Sequence, residues 1–508
     1  MRRHRLDAPP SARVPGGLGD LGGQPPHPRP GPPPAGGSSW SAVFDDLESA
    51  DESIIGSLPM TPGVGMVPEP LDPTQPRGTF VGGLLDAGPL AVAGLAANGA
   101  NVVATVVVAH SLTTRAYGSV AQLLGLFFIL SMPGSAVLVA VVRRLAADGV
   151  MGRGPSSPIW VTRLYRRAVV GVVAFAVLAV AVQGALARQL SLPDDHGVAA
   201  MLAAGGVWLL VSIDRGVLQA GRRYRPLAAN LLVEGTVRTS LVVVLTVAGL
   251  GVWGYALGFV VAELAAAVHA RYHARRAMTA PRAGERAVDV APARARPAIA
   301  PDVATALVGF ALLGILQNAD VVLVGRLHPA NAGAYAAISV AAKSLVFGAI
   351  LLGSYVLPEA TIRWRQGHHA LRQLGVTLLF LLAPALVLLA MAVVVPRPFL
   401  TTFFSSRLAD AAPAFAPLVG AMTCLGVTVI VTNYLLGAAR RWIVGLLALG
   451  AGLAVSLIDH AGGRLVSTAD ADLVVQAGLL AATSVAFVGV HLRRRRPQRV
   501  PAEVGPVR

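Results

Sequence analysis

Apolar runs long enough to cross a bilayer recur along this chain, at about 88–109, 117–142, 168–187, 198–219, 227–248, 252–270, 303–325, 331–357, 373–395, 412–437, 442–459 and 472–492. A spanning helix needs about 20 apolar residues. Hydrocarbon offers no water to backbone N–H and C=O groups, and these runs are too long for barrel strands, so each is expected to be helical. The expected fold class is therefore an all-α polytopic membrane protein with twelve transmembrane helices. Composition agrees: 54% hydrophobic residues, 13% charged residues and a mean hydropathy of +0.63 exclude a soluble globular chain of 508 residues.

Orientation follows from the arginines, because cytoplasmic loops retain positive charge during insertion. The five even-numbered connections hold 21 arginines and the six odd-numbered ones hold 6. Both termini are expected in the cytoplasm. The net charge of +16 is mostly this topological signal plus the tail RRRRPQR at 493–499, which reads as an anchor on anionic lipid. No nucleic-acid partner is needed to explain it.

Residues 1–78 hold 16 of the 36 prolines, with stretches such as PPHPRPGPPP that cannot build a core, and read as a disordered cytoplasmic tail. Within it WSAVFDDLESADESII mixes aromatic and acidic residues, as a partner-binding helix or a solvated stretch would. An Arg, Ala and Pro-rich linker at 273–301 separates a first six-helix bundle, 79–272, from a second, 302–492, and 493–508 forms a basic tail. The halves repeat: His110 and His328, Tyr117 and Tyr335, and the GRRY at 221–224 and ARRW at 439–442 all stand 218 residues apart. Six helices per half is an even number, so the two bundles run parallel, related by an axis along the membrane normal. Such bundles enclose a cavity that opens first to one side and then to the other.

Ionisable residues at membrane depth usually face a cavity or a partner. Asp320, in ILQNADVVLVG, lies about six residues from the outer end of its helix, roughly 9 Å down. Lys343, the only lysine in the chain, falls in the middle of the next helix. Two readings stand for this pair, a functional charge in a wet cavity or an interhelical structural pair. Glu234 and Arg238 are one turn apart, the spacing of an intrahelical ion pair. Asp214 and Arg215 are nearer the cytoplasmic end of the fourth helix, and Glu263 is similarly shallow on the sixth. Asn98, Asn101, Gln317 and Asn318 suit either a cavity for sugar hydroxyls or helix contacts in lipid. Arg222, Arg223 and Arg225, in LQAGRRYRP, form a basic turn at the cytoplasmic mouth, where a phosphate-bearing headgroup or ordinary positive-inside charge fits equally.

Enzyme chemistry is not expected. The one cysteine, Cys424, falls inside a membrane run, the eleven histidines lack metal-site spacing, and no glycine-rich phosphate loop precedes a nucleotide domain. No metal and no cofactor is expected; coupling to a proton, to sodium or to the membrane potential remains open.

The stretch QNADVVLVGRLHPANAGAYAAISVAAKSLVFGAILLGSYVLPEAT resembles the polysaccharide-exporter flippases of the multidrug, oligosaccharidyl-lipid and polysaccharide exporter (MOP) superfamily, with Asp in helix 7, AGAY opening helix 8 and Pro near its cytoplasmic end. HSLTTRAYGSVAQLLGLFFIL is a weaker counterpart in the first half, and RGVLQAGRRYRPLAANLLVEG is similar to the family's turn between helices 4 and 5. The resemblance spans roughly 88–490. It implies export of a polyprenyl-pyrophosphate-linked oligosaccharide across a bacterial cytoplasmic membrane, with the glycan in the cavity and the tail in lipid. It also implies Arg215, Arg238 and Lys343 as cations for the pyrophosphate. Glu234, Asp320 and Glu263 nearly balance them, and Asp320 suits a coupling proton or sodium ion. The two extra helices usual in lipid II flippases are missing.

Other readings remain. A drug or cation antiporter would share the fold. A major facilitator would share the helix count, and LAADGVMGRG, around Asp148 and Arg153, faintly resembles its loop motif. A scaffold would use the proline-rich tail to recruit polysaccharide-synthesis or other envelope enzymes.

Overall fold

The computed structural model describes residues 80–148, 159–195, 197–221, 223–279, 300–365, 371–437 and 440–494. The tail 1–78, most of the linker, Arg222 and residues 495–508 lie outside them.

Every described element is helical: α1 Phe80–Ser111, α2 Thr114–Asp148, α3 Ile159–Gln189, α4 Val198–Ala220, α5 Tyr224–Leu245, α6 Gly251–Thr279, α7 Ala300–Leu327, α8 Pro329–Arg365, α9 Leu371–Val394, the short α10 Pro396–Phe403, α11 Ala412–Gly437, α12 Ile443–His460 and α13 Leu465–Arg494. Each expected apolar run falls on one of the long helices. Among the described residues, length and composition give 11 candidate spans, with Tyr224–Thr279 counted as a single stretch of 56 residues. The chain is a multi-pass membrane protein. The long stretch holds both α5 and α6, and the chain bends between them at Thr246–Leu250, where Gly249 (φ 94°) and Gly251 (φ 55°) take conformations that a Cβ would disfavour. Helix α6 then packs back along α5.

The packing repeats between halves as the sequence does. In the first, α1 packs on α5, α2 and α3 on α4, and α6 on both α4 and α5. In the second, α7 packs on α12, α8 and α9 on α11, and α13 on both α11 and α12. Between the halves, α2 packs along α7 and also meets α8.

These contacts seal the end carrying the α1–α2 and α7–α8 turns. A Cβ on Gly333 would overlap the Thr114 carbonyl oxygen, and one on Gly325 would overlap the Gln122 side chain. Gln122 Nε2 donates to the Leu190 carbonyl (2.9 Å), and Ser191 Oγ donates to the Arg326 carbonyl (3.0 Å). Further along, Phe128 of α2 meets Phe347 of α8 with ring centroids 5.0 Å apart, and Met132 packs with Phe310 of α7.

The repeat breaks at the first helix of each half. Helix α7 is held inside its bundle, against α8, α11, α12 and α13, whereas α1 rests on α5 with little contact to α2. Sequence explains this. At the 218-residue offset, Val102 stands where α7 has Asp320, Gly99 where it has Gln317, Gly125 where α8 has Lys343, and Gly254 and Gly258 where α13 has Asp472 and Gln476. The side chains that draw α7 inward have no counterpart around α1. Val102 is accordingly 55% exposed and Asp320 1%.

Candidate functional site

Three polar regions emerge. The first lies on the seam between α1 and α8, the counterpart of the α2–α7 contact. Among the described residues α1 and α8 approach across a cavity of about 10 Å³, lined by Thr105 and Val108 of α1, Tyr117 of α2, Tyr255 of α6 and Val340 of α8. That is room for about one water. Asn98 lies seven residues before Thr105, hence on the same face of α1, and Asn101 is beside it. Asn98 is exposed and Asn101 half-buried. On α8, Ser344 and Phe347 continue the Val340 face and both are exposed. The seam therefore carries amides, hydroxyls and an aromatic ring, with no charge among these residues.

The second region is inside the second bundle. Lys343 Nζ donates to Asp320 Oδ1 at 2.8 Å, so the lysine stem does span the offset in depth between the two helices. Asp472 of α13 lies beside this pair. Gln476 Nε2, one turn on, donates to Asp472 Oδ1 (3.0 Å) and to the Leu316 carbonyl (3.1 Å), joining α13 to α7 one turn from Asp320. Asp320 takes the one ammonium and Asp472 has Gln476 instead, all three charged residues being at most 5% exposed. Asp472 Oδ2, Gln476 Oε1 and both amide atoms of Gln317 are buried with no hydrogen-bond partner, and the Tyr335 hydroxyl lies against Asp320. Unpaired polar atoms cost free energy in such surroundings, and with both acids ionised the cluster is one positive charge short of neutrality. Asn318 is not part of it; its Nδ2 donates to the Gly314 carbonyl of its own helix (3.1 Å).

The third region is a ladder through α4, α5 and α6. Arg215 pairs with Glu234, Glu234 with Arg238, and Arg238 with Glu263. Arg215 Nε also donates to Asn230 Oδ1 (2.6 Å), and Asn230 Nδ2 donates to the Ala266 carbonyl (2.8 Å). Arg215 lies over the ring of Trp208 and Arg238 over that of Phe259. Asp214 faces the other way and takes Arg271 at 3.1 Å. Glu234 and Arg238 form the expected intrahelical pair, but as the centre of an interhelical chain. Arg215 and Arg238 are neutralised within the bundle. Arg223 and Arg225 are exposed at the far end of the molecule from the α1–α2 turn.

Asp472, Gln476, Tyr335 and Asn230 escape the sequence reading. The signal for two of them is in STADADLVVQAG, where Asp472 and Gln476 stand one turn apart at the opening of the last apolar run. Asn230 gives no such signal, since its role depends on which helices meet.

The ladder makes a prediction. Glu234→Gln leaves Arg215 without an acid and Arg238 with Glu263 alone, a loss of about 3–5 kcal/mol typical of a broken buried pair. A thermal unfolding midpoint equal to that of the unsubstituted protein would count against this electrostatic role.

No family model matches the chain, and no curated protein does. Solved structures do. An inward-facing multidrug resistance MATE family transporter of the MOP superfamily superposes with a TM-score of 0.55 at 12% identity, covering 77% of this chain and 95% of that one. The lipid II flippase MurJ, in an inward closed conformation, gives 0.54 at 10% identity over 80% and 90%. A MOP superfamily transporter from Pyrococcus furiosus, described as having a binding pocket of reverse polarity, gives 0.52 at 12% identity over 80% and 95%. The chain has the fold of these transporters and flippases.

Proposed function

We propose that this protein is an alternating-access flippase with twelve membrane crossings and both termini cytoplasmic, in a bacterial cytoplasmic membrane. It moves a polyprenyl-pyrophosphate-linked oligosaccharide from the inner to the outer leaflet. The arginine bias makes the sealed end the outer one, so the conformation described is closed to the outside. The observation that carries the reading is the α1–α8 seam. A lipid-linked substrate needs a side opening, so that its headgroup enters the cavity while its tail stays in hydrocarbon. One of the two symmetry-related contacts between halves is tight and the other is barely made, which supplies such an opening. Its polar, uncharged lining suits sugar hydroxyls, and the exposed Arg223 and Arg225 suit a pyrophosphate at the cytoplasmic mouth. The charge-deficient cluster of Asp320, Lys343 and Asp472 suits a coupling proton or sodium ion.

A drug or cation antiporter is the second reading, favoured by the MATE structures among the fold's relatives. It is weaker because the buried acids Asp214, Glu234, Glu263, Asp320 and Asp472 sit within the bundles, and no carboxylate is among the described residues that line the seam.

The test is the amount of lipid-linked oligosaccharide on the cytoplasmic leaflet in cells depleted of the protein and in cells carrying Asp320→Asn or Asn98→Leu. Depletion is expected to trap such a lipid inside, and the trapped glycan identifies the substrate. No change in any lipid-linked sugar on depletion would sink the flippase reading and bring small-molecule antiport forward. Deleting residues 1–78 is expected to leave flipping intact; a scaffold for envelope enzymes would lose its role.

A further inference from the structure

We propose that Glu263, at the end of the ladder in the first half, is a proton-exchange site. Its route runs toward the end of the bundle opposite the α1–α2 turn, through Asn230, His269 and His273. This goes beyond the flippase reading: it concerns a proton and not the transported lipid, and it places the exchange in the opposite half from the Asp320 cluster.

The ladder's two glutamates are not equivalent. Glu234 lies between two guanidinium groups, Arg215 and Arg238. Glu263 has Arg238 alone, and shares it with Glu234. Its Oε1 takes the Arg238 guanidinium, while its Oε2 is buried without a hydrogen-bond partner on a residue 0% exposed. A charged carboxylate with one oxygen unsatisfied in such a place is costly, and a proton on that oxygen removes the buried charge while Oε1 keeps the Arg238 contact. The charged groups that face it are Arg238 and Glu234 from α5 and Arg215 from α4; Tyr255, on the same helix, is a neighbour of Arg238. Helix α2 presents Phe127, whose ring meets Phe259 with centroids 4.6 Å apart.

A route leads away on one side. From Glu263 the polar side chains run without a gap through Arg238, Glu234 and Arg215 to Asn230. Asn230 Nδ2 lies 3.3 Å from His269 Nδ1, and the His269 and His273 rings are 4.6 Å apart. Both histidines are on the last turns of α6 and are partly exposed. Imidazole exchanges protons near neutral pH, which suits it to the mouth of such a route. The arginines hold the ladder in place, and water entering the transporter's open state carries the proton past them. On the other side, Tyr255 stands two turns from Glu263 on α6 and lines the small cavity of the seam. Glu263 is thus set between the two access sides, as a coupling proton requires.

The experiment is infrared difference spectroscopy of the purified full-length protein in lipid bilayers across a pH step, which reads the carbonyl stretch of a protonated buried carboxyl and needs no substrate. A component of that band is expected to be lost in Glu263→Gln and retained in Asp472→Asn. Should Glu263→Gln not fold, Arg238→Gln with Glu263→Gln leaves Arg215 and Glu234 as a balanced pair and is expected to lack the same component. His269→Phe is expected to keep the component but slow its response to the pH step several-fold. An unchanged band in the Glu263 variants overturns the site and makes the ladder purely structural. An unchanged rate in His269→Phe overturns the route. Either failure would leave the lipid-linked glycan result unaffected, so the two proposals fail separately.

Discussion

Lys343→Ala is expected to destabilise the protein by about 3–5 kcal/mol, the cost of leaving a buried charge without its partner. Two carboxylates, Asp320 and Asp472, would then face each other with no described cation between them. Thermal unfolding of the protein in detergent checks this. The companion variant decides the cause, because Lys343→Ala combined with Asp320→Asn removes one charge of each sign and, with Asp472 left as the one buried acid, is expected to recover part of the loss. If the single variant unfolds like the unsubstituted protein, the cluster is solvated and its charge imbalance has no consequence. If the double variant is no better than the single, packing of the lysine stem is what matters.

Gly333→Val is expected to abolish export while leaving the protein folded. The added side chain would meet Thr114 on α2, so the end that carries the α1–α2 turn cannot close. Backbone atoms cannot retreat as a flexible side chain can, and the cheapest response is for the halves to part at that end. A cysteine introduced at Ser191, in the protein with Cys424 replaced by serine, is expected to react faster with an impermeant thiol reagent added outside. Unchanged labelling alongside normal export would show that this contact is no gate. Gly325 is the weaker test, since Gln122 opposite it is a side chain that can swing aside.

Much of this was legible in the sequence because hydrocarbon imposes simple rules. Run length marked the helices, and the constant offset between Tyr117 and Tyr335 anticipated the repeated packing. The Asp320–Lys343 contact was legible as one of two alternatives. The sequence could not show that Glu234 and Arg238 continue to Arg215 and Glu263, since that needs α4, α5 and α6 to meet on one line. Asp472 was hidden for a related reason: it stands at the margin of its apolar run, where an acid usually faces water. The asymmetry between α1 and α7 was written in the repeat as substitutions of Gly and Val for polar residues. Reading it required knowing that those polar residues converge.

The near-isolation of α1 has a mechanical consequence. With α5 as its principal support, gripped where Gly235 lets Ala97 approach its backbone, α1 behaves as a door on a single hinge. In the proposed flippase its swing would disturb few contacts elsewhere, so the surrounding lipid would set the width of the portal more than the protein does. Such a portal imposes little selection on the girth of what passes. Discrimination among cargoes then falls to the fixed walls on α2, α7 and α8, and membrane thickness and tension become part of the machine's specificity.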